Sequence, residues 1–177
     1  MSIENWKFDT VHSSLNFWVR HLMVSRVHGR FTQWTGSLAF DPEAPEKSKV
    51  EVQIEAASVD TREPQRDAHL RSPDFFEVEK FPTLSFHSTR VTPTGDGELA
   101  VTGNLMIHGV TRQVVFAVAG PTRPARDPWG TTRVGLSATT KINRKDYGLI
   151  WNAALETGGI LVGDEVTITL DVQFVKA

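Results

Sequence analysis

Three groups of polar residues have the types and spacing that chemistry needs. Arg66-Asp67-x-His69 brings a guanidinium, a carboxylate and an imidazole close together in the chain. Such a trio could clamp a charged head group or run general acid–base catalysis. It could also hydrogen-bond to neighbouring loops and hold a connection in place, as buried polar residues commonly do. Asp9-x-x-His12 offers a similar pairing near the start of the chain. There, a side-chain bond shaping the first hairpin competes with a site. Arg20, Arg26 and Arg30, with His21 and His28 among them, form a basic run. It would welcome an anion such as a pyrophosphate, or simply present a solvated basic face.

What is missing narrows the chemistry further. The six histidines are His12, His21, His28, His69, His87 and His108, and no two stand at an i, i+2 or i, i+4 ligand spacing. A metal site would therefore need ligands converging from distant strands, and none is expected. Cysteine is absent, which excludes a disulfide scaffold, a thiolate-ligated metal and a thiol nucleophile. There is no phosphate loop, dinucleotide glycine fingerprint, Gly-x-Ser-x-Gly elbow or His-Glu-x-x-His. No catalytic residue and no cofactor are expected. Lys plus Arg number 19 and Asp plus Glu 21, a net charge of -2, so charge alone gives no reason to expect nucleic-acid binding.

The elements that must position these groups read as strands. Apolar residues recur with period two: Leu15, Phe17, Val19 and His21; Leu38 and Phe40; Val50, Val52 and Ile54; Leu84 and Phe86. The pattern continues through Leu99, Val101, Leu105 and Ile107, then Val134, Leu136, Ala138 and Ile142, and lastly Val166 to Phe174. One apolar and one polar face describe half-buried antiparallel strands. Breakers at Asp41-Pro42, 93–97, Gly120-Pro121, 127–130 and Gly158-Gly159 separate the runs. The reading is eight or nine strands in a meander, closed into a barrel because closure removes exposed edges. Residues 58–81 interrupt the pattern. Pro64 and Ser72-Pro73 predict a short helix over 64–71, followed by a helical turn near 74–77. A second helical piece is expected near Asp146–Leu155. Phe75, Phe76 and Phe81 crowd around the turn, to line a cavity or seal the barrel end. The 177 residues are read as one domain, 1–177. No apolar run reaches a membrane span, and no apolar leader is visible, so a cytoplasmic location is expected.

Ordered motifs along the chain resemble the YceI-like family, the polyisoprenoid- or lipid-binding YceI domain. They are Asp9-x-x-His12-Ser13, Phe17-x-Val19-x-His21, Gly29-Arg-Phe31 and Ser58-Val-Asp-Thr61. Then come Arg66-Asp-x-His-Leu70, Asp74-Phe-Phe76, Phe81-Pro82, Phe86-His-Ser88, Gly103-x-Leu105 and His108-Gly-Val-Thr111. Asn143-Arg144, Tyr147-Gly148 (usually Phe-Gly in the family) and Val162-Gly-Asp-Glu-Val166 complete the set. The resemblance implies an all-β fold: an extended antiparallel eight-stranded, lipocalin-like barrel capped by a short helix. It also implies a non-enzymatic binder or carrier whose apolar tunnel holds an amphiphile: a polyisoprenoid, a quinone tail or a fatty amide. The alternatives are a stress-related interaction protein with a filled barrel, or an enzyme acting on an isoprenoid-like ligand. Relatives of this kind make a homodimer conceivable. The expected tunnel residues are Leu15, Phe17, Val19, His21, Phe31, Leu38, Val52, Ile54, Phe75, Phe76, Phe81, Leu84, Phe86, Leu105, Ile107, Leu136, Ala138, Ile168 and Leu170. Arg66 and His69 are the candidates for a head group.

Overall fold

The computed structural model describes residues 3–22, 24–41, 43–153 and 161–177. Twelve strand segments follow one another: β1 (Glu4–Phe8), β2 (Ser14–His21), β3 (Ser25–Phe31), β4 (Trp34–Phe40), β5 (Lys49–Glu55) and β6 (Val59–Asp60). After helix α1 (Pro64–Arg71) come β7 (Thr83–Gly95), β8 (Glu98–Ile107), β9 (Val110–Ala119), β10 (Ala125–Arg126), β11 (Thr132–Asn143) and β12 (Val162–Lys176). The order β1-β4-β5-β7-β8-β9-β11-β12 closes on itself, because β12 pairs with both β11 and β1. That ring is the closed antiparallel barrel expected from the alternation, with the eight strands that the family resemblance implies.

Of the four surplus segments, β6 and β10 are two-residue strands added beside β3 and β11, and the other two come from bending. β1 and β2 lie in succession along one edge of β12, with Phe8 opposite Phe174 and Leu15 opposite Leu170. β3 and β4 follow them, Gly29 opposite Phe17 and Leu38 opposite Trp6. Each pair is one long strand interrupted at a corner, at Thr10–His12 on the first arm and at 32–33 on the second. The register needs small residues where rings cross. A Cβ on Gly29 would stand 2.3 Å from the Phe17 ring, and one on Gly103 2.5 Å from the Phe86 ring. Both glycines let an aromatic from the neighbouring strand lie flat over the backbone.

α1 occupies the expected residues. Glu63 caps it by accepting the Arg66 N–H at 2.8 Å, and Pro64 opens the first turn, where its missing N–H costs nothing. Residues 72–80 are successive turns rather than a helix. The second helical piece is shorter than expected, a 3-10 turn at Arg144–Tyr147. Asn143 starts it by accepting the Lys145 N–H, and Gly148 ends it at φ 75°, a left-handed conformation that suits glycine. The expected positions Leu155, Pro42 and Gly158-Gly159 lie outside the described residues. Trp6, Tyr147 and Phe174 are the largest fully buried side chains among the described residues. Phe8 packs on Phe174 at 4.2 Å and on Trp34 at 4.9 Å between ring centroids.

Candidate ligand cavity

A cavity of about 350 Å³ runs inside the barrel. At one end it meets Phe40, Ser48, Lys49 and Pro121. At the other it meets Arg66, His69, Phe75, Phe76, Arg144, Trp151, Leu161 and Val162, beside the end of β2 at Arg20 and His21. Between them the wall is apolar, because period-two strands turn one side chain in two toward it. Close-packed interiors leave few voids larger than a water molecule. An apolar space of 350 Å³ kept empty forgoes on the order of 8 kcal/mol against a filled core. Its volume falls at the lower end of ligand pockets, roughly 300–1,000 Å³, which suits one slender chain.

The strand alternation converges on this space. Leu15, Phe17, Val19, His21, Phe31, Leu38, Val52, Ile54, Leu84, Phe86, Leu105, Ile107, Leu136, Ala138, Ile168 and Leu170 all line it, as do Phe75 and Phe76. Phe81 does not. It precedes its strand, so no alternation fixes its direction. Its ring packs edge-on against His108 at 4.7 Å, beneath Gly109, with the Lys80 ammonium 5.3 Å away. Phe116, Val118, Leu149, Trp151 and Arg144 line the cavity without having been expected there. Phe116 and Val118 share an alternation within β9 that could have been read. Trp151 and Arg144 lie outside any strand and carry no periodic signal.

The helix-side end is built from aromatics and engaged polar groups. His69 meets Trp151 at 4.7 Å and Phe75 at 5.1 Å, edge-on to both. Phe76 continues through Phe31 to Phe17 at 5.8 and 5.6 Å. Asp67 is buried, and its Oδ1 accepts the N–H and the hydroxyl of Thr61. Arg66 donates from Nε and Nη2 to the Thr61 hydroxyl and carbonyl, both at 2.8 Å. His69 Nε2 lies 2.8 Å from Asp74 Oδ2, within hydrogen-bond distance. The bonds to Thr61 staple α1 to the end of β6, which pairs with β3 and is tied to it by Arg30–Asp60 at 3.1 Å, and the His69–Asp74 contact ties α1 to the turns that follow it. The cluster thus holds the connection, while Arg66 and His69 still border the cavity.

Arg144 is the deepest charge here. Its guanidinium donates to the carbonyls of Leu149, Trp151, Gly163 and Val162. Burial lowers its pKa, and Asp164 at 3.9 Å opposes that. It ties residues 149–151 to the start of β12. Burial likewise pushes the Tyr147 hydroxyl up to about 12, and that hydroxyl has no partner among the described residues.

The Asp9–His12 pair lies elsewhere. Asp9 Oδ1 accepts the Val11 N–H, and Oδ2 meets His12 Nδ1 at 2.7 Å and Arg133 Nη1. Arg133 also reaches Asp127 at 2.7 Å. The Arg133 guanidinium, helped by His12, holds Asp9 at about 2 against the opposing effect of burial. None of these side chains lines the cavity. Their network fixes the corner between β1 and β2. Among the described residues there is no cluster of metal-ligating side chains, and no helix is long and apolar enough to cross a membrane.

Comparison with known proteins agrees with this architecture. The YceI-like domain profile matches residues 6–174. A UPF0312 protein of Azotobacter vinelandii is 44% identical over 138 residues, 78% of this chain and 71% of that protein. Burkholderia cenocepacia BcnA superposes with a TM-score of 0.81 at 21% identity, covering 94% of this chain and 98% of that one. A polyisoprenoid binding domain from Saccharophagus degradans, implicated in plant cell wall breakdown, gives 0.70 at 15% identity, covering 99% of this chain and 100% of that one. The last two are likenesses of fold.

Proposed function

The chain belongs to the YceI-like domain family, and from that premise we propose that it is a non-enzymatic binder or carrier of one amphiphilic lipid. The single observation that carries the reading is the apolar cavity of about 350 Å³ along the barrel. Each methylene moved into it from water contributes about 0.8 kcal/mol, so a tail binds without any polar contact. A polyisoprenoid, a quinone tail or a fatty amide meets that requirement. The name of the Saccharophagus degradans domain favours the isoprenoid. The tail points toward Phe40 and Pro121, and the head stays near Arg66 and His69. Arg66 Nη1 makes none of the hydrogen bonds that tie this side chain to Thr61, so it is the donor free for a head group. Asp67 is buried, and its Oδ1 is taken up by the N–H and hydroxyl of Thr61, which Arg66 also holds; this stapling role supports binding over catalysis.

Native mass spectrometry after lipid extraction tests the reading. Delipidated protein offered an octaprenol or a long-chain fatty amide should take up one molecule per chain. Refusal of every apolar-tailed probe would overturn it and leave the interaction protein. Chemical turnover of the probe, lost in Asp67→Asn, would overturn it in favour of an enzyme.

A further inference from the structure

The β2–β3 hairpin next to the cavity end has an outer surface that the bound tail does not use. Residues 10–40 contain no Asp or Glu. Within that stretch Arg20 and Arg26 stand directly opposite each other in the hairpin register. Like charges so placed disfavour strand pairing. Neither has a carboxylate partner among the described ion pairs. The nearby carboxylates are taken: Asp60 by Arg30, Asp164 by Lys145 at 3.3 Å and Glu165 by Lys141 at 3.7 Å. Instead both guanidinium groups gather on the outward Trp18, Arg26 at 4.1 Å and Arg20 at 5.8 Å from the ring centroid. Beyond this belt the tip is apolar and exposed, with Leu22 43% and Val24 79% accessible. Leu22 N–H bonds to the carbonyl of Leu161, itself on the cavity rim, and Ile150, between the lining residues Leu149 and Trp151, is 68% accessible.

We propose that this hairpin tip and rim dock on an anionic phospholipid bilayer, Leu22, Val24 and Ile150 entering the interface while Arg20 and Arg26 meet phosphate. The dimensions fit. Trp18 lies three residues behind His21, about 10 Å at a strand rise of ~3.3 Å per residue. Interfacial elements bury their apolar side about 5–10 Å into the head-group boundary. Tryptophan and arginine then lie at head-group level, where amphipathic rings and basic side chains are favoured. The arginine pair, without a carboxylate partner among the described ion pairs, meets counter-charge at the negative surface. Docking this way sets the cavity end against the lipid that, on the binding reading above, supplies its tail.

Flotation with vesicles tests the surface independently of the cavity. Wild-type protein should bind vesicles of phosphatidylcholine and phosphatidylglycerol in equal parts, release in high salt, and bind phosphatidylcholine alone far less. Arg26→Gln should weaken binding about fivefold, and Val24→Asp at least as much. Both positions are exposed and outside the cavity lining, so both variants should stay folded, Arg26→Gln melting no lower than wild type, and octaprenol uptake should stay unchanged. Trp129→Ser removes an 84% accessible apolar side chain in the turn beside Thr132, toward the opposite end of β12 from Val162, and should leave flotation intact. No preference for anionic vesicles, or wild-type flotation by both hairpin variants, would overturn the docking. Flotation without octaprenol uptake would remove the cavity reading and leave the docking standing.

Discussion

The corner at Asp9 and the helix at Asp67 present the same pairing of aspartate and histidine in sequence, yet they do different work. At the corner every charge is answered by another. Arg133 joins Asp9 to Asp127, and His12 completes Asp9. The corner stands apart from the cavity and ties β1, β2 and β11 together. At the helix Asp67 is just as fully engaged, but its neighbours Arg66 and His69 border the cavity. Residue type does not separate a structural cluster from a functional one. The separation comes from whether an apolar space passes beside it, and from which donors remain uncommitted.

The comparison would break first at the arginines. Arg144→Ala, on the cavity side, strips four carbonyls of a buried donor and should cost about 3–5 kcal/mol. Arg133→Ala, at the partly open corner, should cost much less. Urea unfolding of the two variants gives both values. Equal losses would mean that the corner is as deeply integrated as the cavity end.

Asp67→Ala comes next. It leaves the N–H and hydroxyl of Thr61 without their acceptor and should lower stability by about 1–3 kcal/mol. Octaprenol uptake by the folded fraction should barely change. Unaltered melting with abolished uptake would move Asp67 out of the scaffold and into the head-group site.

Asp9 sharpens the contrast through pH. Its folded pKa of about 2 lies below the ordinary 3.8. The ionised form therefore adds stability above pH ~4, which is lost as pH falls toward 2. At this partly open corner the gain is about 1 kcal/mol after solvent screening. Asp9→Asn should be less stable by that amount at neutral pH and should lose the corresponding slope between pH 4 and 2. An acid-unfolding profile identical to wild type would show that the corner pair adds nothing.

The barrel was legible because a half-buried strand writes its facing into every second residue. Of the set turned inward, only Phe81, which precedes its strand, points elsewhere. Bends are different. Interruptions at 10–12 and 32–33 keep the alternation on either side while splitting two strands into four segments, and the two-residue β6 and β10 are too short to show any alternation. The cavity end was least legible. Arg144 is satisfied by carbonyls of residues up to 19 positions away, and no local pattern announces a buried guanidinium. Its partner segment, with Trp151, belongs to no strand at all.

The smallest stability change should come from the wall itself, and β11 supplies an internal control. Val134 and Ala138 are four residues apart on one face of the strand. Val134 is 2% accessible and outside the cavity lining, whereas Ala138 lines the cavity. Val134→Trp forces an indole into packed core and should cost about 1–3 kcal/mol or more. In Ala138→Trp the indole enters space that the ligand would otherwise fill. The delipidated variant should melt within a few degrees of wild type, roughly 1 kcal/mol or less, and should fail to take up octaprenol. Delipidated samples are required, because bound ligand stabilises the native state by mass action and would mimic a packing effect. Equal destabilisation by both substitutions would mean that the wall at Ala138 is packed core. A stable Ala138→Trp with full uptake would place the tail nearer the helix end, past Ala138 and toward Ile142.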